Sequence, residues 1–190
     1  MINQLLDIHS QNSIQIIGGE KAKKINSGTK KQIASQVVKL LSPYVIEGHM
    51  VGQTVNGLIE YFDNGLAIVA ITPFWEVVGF AKLFKYTSSK ENVTLGYEFS
   101  SWVSKKKGVG LKILMEALNV FYSFNNPNID FFGVCSVDNP KPQTILIKAG
   151  AVEMERPQYV PNLLEAQTGK PHRETIINLK TIPFCKKNNV

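Results

Sequence analysis

Cysteine is scarce in this chain: Cys135 and Cys185 are the only two, far apart and in no Cys-x-x-Cys spacing. That excludes a disulfide framework and a thiolate zinc site. Histidine is nearly as rare. His9, His49 and His172 are scattered without the spacing that places two imidazoles on one helical face, so no catalytic metal is expected. No apolar run approaches the roughly 18 residues that a membrane span needs. Met1–Ser10 lacks the basic segment and apolar core of a secretory leader. The cytoplasm is the default location. Acidic charge is also in short supply, with 15 Asp and Glu against 21 Lys and Arg, a net charge of +6. A balance of this size favours polyanionic partners, phosphorylated small molecules or nucleic acids. The lysines are dispersed in pairs and one triplet, and most such pairs read as solvated surface.

The apolar residues that are present supply a core. At 190 residues and 44% hydrophobic, the chain is an ordinary globular protein. No repeat or linker divides it, so one domain over 1–190 is expected, its core at about 13–182. Residues 13–17 alternate like a short strand, and residues 20–28 read as irregular. From Thr29 a helical stripe (Ile33, Val37, Leu40, Leu41) runs to Pro43, which should end it. A second, shorter helix is expected over 51–62. After the turn at Asp63-Asn64-Gly65 come three strands, at 66–71, 77–86 and 93–103, the last long enough to need a bulge or a break.

Behind Gly108-Val109-Gly110 the period changes. Leu111, Leu114, Leu118 and Phe121 share a helical face, and 125–128 ends the helix. Residues 129–137 form an apolar run of strand length, and a short helix over 142–148 stops at Gly150. Strands near 151–160 and 173–182 complete the order. The unit spanning 93–137 requires a parallel crossover in an otherwise antiparallel sheet.

The strand–turn–helix junction carries the chemistry. First-turn amides of a helix lack internal partners, and the helix dipole adds partial positive charge there. Gly108 and Gly110 would let backbone approach a phosphate, and Lys105, Lys106 and Lys107 add mobile charge at the rim. A diphosphate is the natural ligand. The loop is neither a Walker A sequence nor a dinucleotide-binding fingerprint.

These residues resemble the GNAT superfamily of N-acyltransferases, whose members carry Arg/Gln-x-x-Gly-x-Gly/Ala at this junction. Lys105-Lys106-Lys107-Gly108-Val109-Gly110 matches it with Lys in first place. Downstream, Asn139 and Gly150 are similar to the Asn that starts, and the Gly that ends, the helix after the family's fifth strand. The resemblance implies an α+β fold, a mixed and mostly antiparallel sheet flanked by helices, with a splayed parallel strand pair. It also implies acetyl-CoA or another acyl-CoA as co-substrate, with acyl transfer to a primary amine. Backbone near Trp102 and Val103 would align the pantetheine arm. Amides from Lys106 through Gly108, Val109 and Gly110 to Leu111 would bind the pyrophosphate, and Asn139 would contact the pantetheine. The acceptor would enter from the other side, between the 43–50 connection and the 160–172 loop.

For catalysis, Glu98 is the best general base, since the resemblance places a carboxylate on this strand, and its bland role is a surface ion pair. The family's usual acidic tyrosine is replaced by Leu146, and Pro142 stands where a small residue is common. The family's proline-containing segment before the glycine turn is also shortened here. Tyr97, Tyr159 or Ser136 could substitute as acid. Cys135 reads as core rather than nucleophile, and His49 and His172 as solvated or satisfied. Two other readings stay open: a GNAT-like module without catalysis, and a nucleic-acid acceptor such as aminoacyl-tRNA or a DNA base. The acceptor, whether small molecule, protein or nucleic acid, is unspecified. So are acyl length and oligomeric state, a homodimer being one option.

Overall fold

A computed structural model describes residues 13–126, 128–162 and 174–183. His9, His172, Cys185 and most of the 160–172 loop lie outside these residues. Their elements run β1 (Gln15–Ile17), α1 (Gly19–Lys23), α2 (Ser27–Ile46), α3 (Val55–Asp63), β2 (Ala67–Ile71), β3 (Val77–Thr87) and β4 (Thr94–Ser104). Then follow α4 (Val109–Ser123), β5 (Asp130–Ser136), α5 (Pro140–Lys148), β6 (Val152–Met154) and β7 (Glu174–Asn178). The strands form one sheet in the order β1-β2-β3-β4-β5-β7-β6. Every pairing is antiparallel except β4–β5, the parallel crossover around α4. No helix among the described residues is long and apolar enough to cross a membrane.

Strand alternation builds the two layers. Every residue of β2 is buried because the sheet is covered on both faces. Ala67, Val69 and Ile71 pack with α2 and α3, through Ile33, Val37 and Phe62. Ile68 and Ala70 face the opposite way, toward Ile113, Leu114 and Leu118 of α4. β3 repeats the pattern with Phe80 on the first face and Leu83 on the second. Each fully buried Leu, Ile or Phe contributes about 1.5–3 kcal/mol of transfer free energy.

Several boundaries differ from the sequence expectations, each for a local reason. Pro43 does not stop α2, which runs on to Ile46 with the proline in its last turn. The fixed φ of proline suits a helix, and its missing N–H costs only one bond near an end whose carbonyls are already short of donors. The stretch read as irregular from residue 20 begins in a one-turn helix, Gly19–Lys23, around the fully buried Ala22. α3 begins at Val55 rather than 51, because the Thr54 hydroxyl caps it by accepting from the Gly57 N–H at 3.0 Å. Lys30, half of a pair read as solvated, is buried and donates to Asp63 at 2.6 Å, tying α2 to α3. The expected strand at 151–160 shrinks to β6. The strand expected over 173–182 ends at Asn178, whose side chain accepts from the Lys180 N–H and turns the chain into a 3-10 helix.

Candidate functional site

The expected break in the long strand is a bulge. Phe80 pairs with Val103 and Lys82 with Ser100, so Ser101 and Trp102 together oppose Ala81. Ser101 adopts φ +55°, a left-handed conformation that costs a non-glycine residue roughly 1–2 kcal/mol. The bulge takes backbone groups of Ser101 and Trp102 out of the regular β3 ladder.

There β4 and β5 part. They pair only at Gly96–Asp130, Tyr97–Phe131 and Glu98–Phe132, although both strands continue for several residues. Beyond Glu98 a cleft opens, holding about 1050 Å³ of space with its open mouth included. One wall is Phe99 to Trp102 and the other Gly133 to Ser136. Asn139, the N-cap of α5, and Leu146 of α5 also line it, as do Lys82, Gln53 and His49.

The start of α4 lies beside this cleft. Lys105, Lys106, Lys107 and Gly108 are exposed. Gly108 is the N-cap, in the left-handed region at φ +80°, and no side chain caps the helix. The first intrahelical bond runs from the Lys112 N–H to the Gly108 carbonyl, which leaves the Gly110 and Leu111 amides without helical acceptors. The two glycines serve different ends. Gly108 is set by its φ, with open space where a Cβ would sit, while a Cβ on Gly110 would meet the Trp102 ring at 3.2 Å. Gly110→Ala therefore should strain the cleft wall at Trp102.

Trp102 lines the cleft, and its indole N–H is buried with no acceptor among the described residues. Val103 points away, into the core under α2 and α3, so only its backbone can serve a ligand. Asn139 is the N-cap of α5, yet its side chain makes no capping bond and stands in the cleft wall. Leu146, 1% exposed, lies in the wall where a tyrosine was the expected acid.

Glu98 is 8% exposed and lines the cleft. Burial pushes its carboxyl above the usual range, partly offset by hydrogen bonds from Tyr86 and Ser100 and by the Lys82 charge. The Tyr86 hydroxyl donates to Oε2 at 2.7 Å. Tyr97 is not brought to the cleft. Adjacent strand residues face opposite ways, and its ring stacks on Phe124 at 4.8 Å in the α4 core. Tyr159 is likewise engaged elsewhere, donating to Asp130 at 2.5 Å. Ser136 lines the cleft, its hydroxyl accepting from the Asp138 N–H at 3.2 Å. Cys135 is 4% exposed, and burial, aided by Glu98, pushes its thiol up to about 12. At neutral pH it is a packed thiol. His49 also lines the cleft, 3.8 Å from Glu47. Among the described residues, no His, Cys, Asp or Glu cluster could hold a metal.

Two groups at this site were missed from sequence: Lys82 and Tyr86, both on β3. An isolated lysine inside the apolar run at 77–84 was the available signal, since alternation buries Lys82 and exposes Lys85.

A parallel pair that separates beside an uncapped helix start settles the architecture. The chain has the GNAT fold. A Salmonella typhimurium putative acetyltransferase, solved with acetyl-CoA, superimposes with a TM-score of 0.63 at 12% identity, covering 94% of this chain and 100% of that one. Spermidine N-acetyltransferase from Vibrio cholerae, in complex with CoA and spermine, gives 0.53 at 16% identity, covering 91% and 98%. N-acetylglutamate synthase from Neisseria gonorrhoeae, complexed with CoA and N-acetylglutamate, gives 0.57 at 13% identity, covering 87% of this chain. Of that synthase the chain spans only 34%. No protein-family model and no curated protein matches the sequence. In this GNAT fold the glycine turn, the bulge and Glu98 fall around one cleft, whereas Tyr97 does not.

Proposed function

We propose that the protein is an acyl-CoA-dependent N-acyltransferase in which Glu98 activates a primary amine for direct attack on the thioester. The observation that carries this reading is the cleft itself: β4 and β5 separate beyond Glu98, and an exposed, uncapped helix start stands at its side. The CoA-bound proteins of the same fold support it.

The residues present suit a diphosphate on a long, amide-bearing arm. The Gly110 and Leu111 amides and the dipole of α4 favour phosphate, and Lys105 to Lys107 add charge around it. The orphan indole N–H of Trp102 and the uncommitted Asn139 side chain are suited to the arm's amides. When bound, the co-substrate supplies an acyl thioester. Glu98 takes a proton from the incoming ammonium, directly or through water, so the nitrogen presents a lone pair; a raised carboxyl pKa brings the base nearer to neutrality. Backbone left out of the regular β3 register at the Ser101–Trp102 bulge would be free to donate to the developing oxyanion. Leu146 donates nothing, and a thiol of pKa ~8.5 departs without much protonation.

Two variants test the parts separately. Leu111→Pro removes one phosphate-facing amide at a helix position where proline is tolerated, and the preceding Gly110 has no Cβ to clash with the ring. Calorimetry should show acetyl-CoA affinity about tenfold weaker with an unchanged circular dichroism spectrum; unchanged affinity would remove the turn from the binding site. Tyr86→Phe deletes the donor to Glu98. The ascending limb of the pH–kcat/KM profile should move to higher pH, since that hydrogen bond holds the carboxyl down. A limb that stays in place means that Tyr86 does not act on the base.

A binding module without catalysis would hold acetyl-CoA yet release no thiol with any amine. Thiol release over a panel of amines, peptides and tRNA distinguishes the two.

A further inference from the structure

The cleft has a charge on its acceptor side that acyl transfer alone does not use. Lys82 sits in mid-β3, 5% exposed, on the cleft wall. Its Nζ donates to Gln53 Oε1 at 2.9 Å and to the Tyr61 hydroxyl at 3.3 Å, and it lies 4.4 Å from the Tyr61 ring centroid. All of these partners are neutral. None of the ion pairs among the described residues includes Lys82. The two buried carboxylates on this side already have donors of their own, Glu98 from Tyr86 and Glu174 from Arg156 at 2.6 Å. Burial pulls Lys82 down to about 8, and the through-space charge of Glu98 offsets only part of that. An ammonium held in no ion pair is costly to bury, and it has three donors, of which two are accounted for.

The register places the opposite charge close by. Lys82 pairs with Ser100 and Phe84 with Glu98, so Lys82 and Glu98 are diagonal neighbours on one face of the sheet. Such neighbours stand roughly 7–8 Å apart at the backbone, a separation that their side chains and a small zwitterion can bridge. We propose that Lys82 receives the carboxylate of an α-amino acid acceptor whose amine is set against Glu98. This rests on the acyltransferase reading and names its substrate class. A polyamine or a lysine side chain would leave the Lys82 charge unanswered, and a second cation on the acceptor would be repelled by it.

The test compares each of the common amino acids with its own carboxamide. Thiol release from acetyl-CoA gives kcat/KM for both members of a pair, and calorimetry in the presence of desulfo-CoA gives their Kd values. In the wild type the free acid should be favoured by about ten- to a hundredfold in both readouts, as expected for a charge-assisted contact. In Lys82→Met the ratio should fall toward one. Taking the ratio within one variant cancels any general loss of activity. Lys82→Gln, with a polar side chain, guards against a folding defect, and retained acetyl-CoA binding shows that the cleft is formed. Carboxamides used as well as acids, a preference that survives both variants, or no turnover of any pair by a protein that binds acetyl-CoA would each overturn the inference. Failure to bind acetyl-CoA would instead strike the acyltransferase reading beneath it.

Discussion

Glu98→Gln should lower kcat/KM for amine acylation by about a hundred- to a thousandfold while leaving acetyl-CoA affinity unchanged. General-base assistance is typically worth 10²–10⁴-fold, and Glu98 is the carboxylate of the cleft whose donor, the Tyr86 hydroxyl, leaves it in position as a base. The pH dependence should change with it. Activity needs the ionised form, so the wild-type rate rises with pH through a limb above the ordinary carboxylate range. In the glutamine variant that limb disappears. Stability should move the other way. Burial raises the folded-state pKa above the unfolded one, so the native state holds the proton more tightly than the unfolded chain does. The stabilisation from that proton is complete below the unfolded pKa and is lost as pH rises through the folded value. At pH 8 Glu98→Gln should therefore melt higher than the wild type, and the difference should vanish near pH 4. A variant that loses activity together with stability at pH 8 would mark Glu98 as a structural residue.

Reversing the three lysines of the turn, Lys105→Glu, Lys106→Glu and Lys107→Glu together, should weaken acetyl-CoA binding on the order of a hundredfold. All three side chains are exposed, so the change should leave folding intact. Each surface charge pair is worth only about 0.2–1 kcal/mol, but three reversals replace attraction by repulsion at one anionic ligand. The effect should shrink as ionic strength rises, because exposed charges are screened within roughly 10 Å at 0.1 M salt. An affinity that is unaltered at low salt would place the phosphates elsewhere.

How much of this was legible in the sequence depended on whether the signal was local. The glycine turn could be read because three features coincide over a few residues: a strand that ends, Gly108-Val109-Gly110, and an apolar period that switches to a helical one. The parallel crossover followed from the strand–helix–strand unit around it. The bulge could be anticipated from strand length alone, but its location at Ser101–Trp102 depends on pairing with β3. Glu98 was reached through family resemblance, and Tyr97 was placed beside it although strand alternation sends the two side chains to opposite faces. Lys82 was marked only as an isolated lysine in an apolar run, and that it and Tyr86 stand near Glu98 comes from cross-strand register, which no run of adjacent residues encodes. Pro43 misled for the opposite reason. A strong local breaker was tolerated because it fell in the last turn of α2. The same holds for the final strands, where the Asn178 side chain overrides a continuous strand pattern.

The most direct measurement is the position of coenzyme A in a crystal of the complex. The pyrophosphate oxygens should lie within hydrogen-bond distance of the Gly110 and Leu111 amides, with the sulfur between Phe99 and Val134, where β4 and β5 have parted. A pyrophosphate bound away from the start of α4, or a sulfur outside that gap, would contradict the assignment of this cleft as the site of acyl transfer.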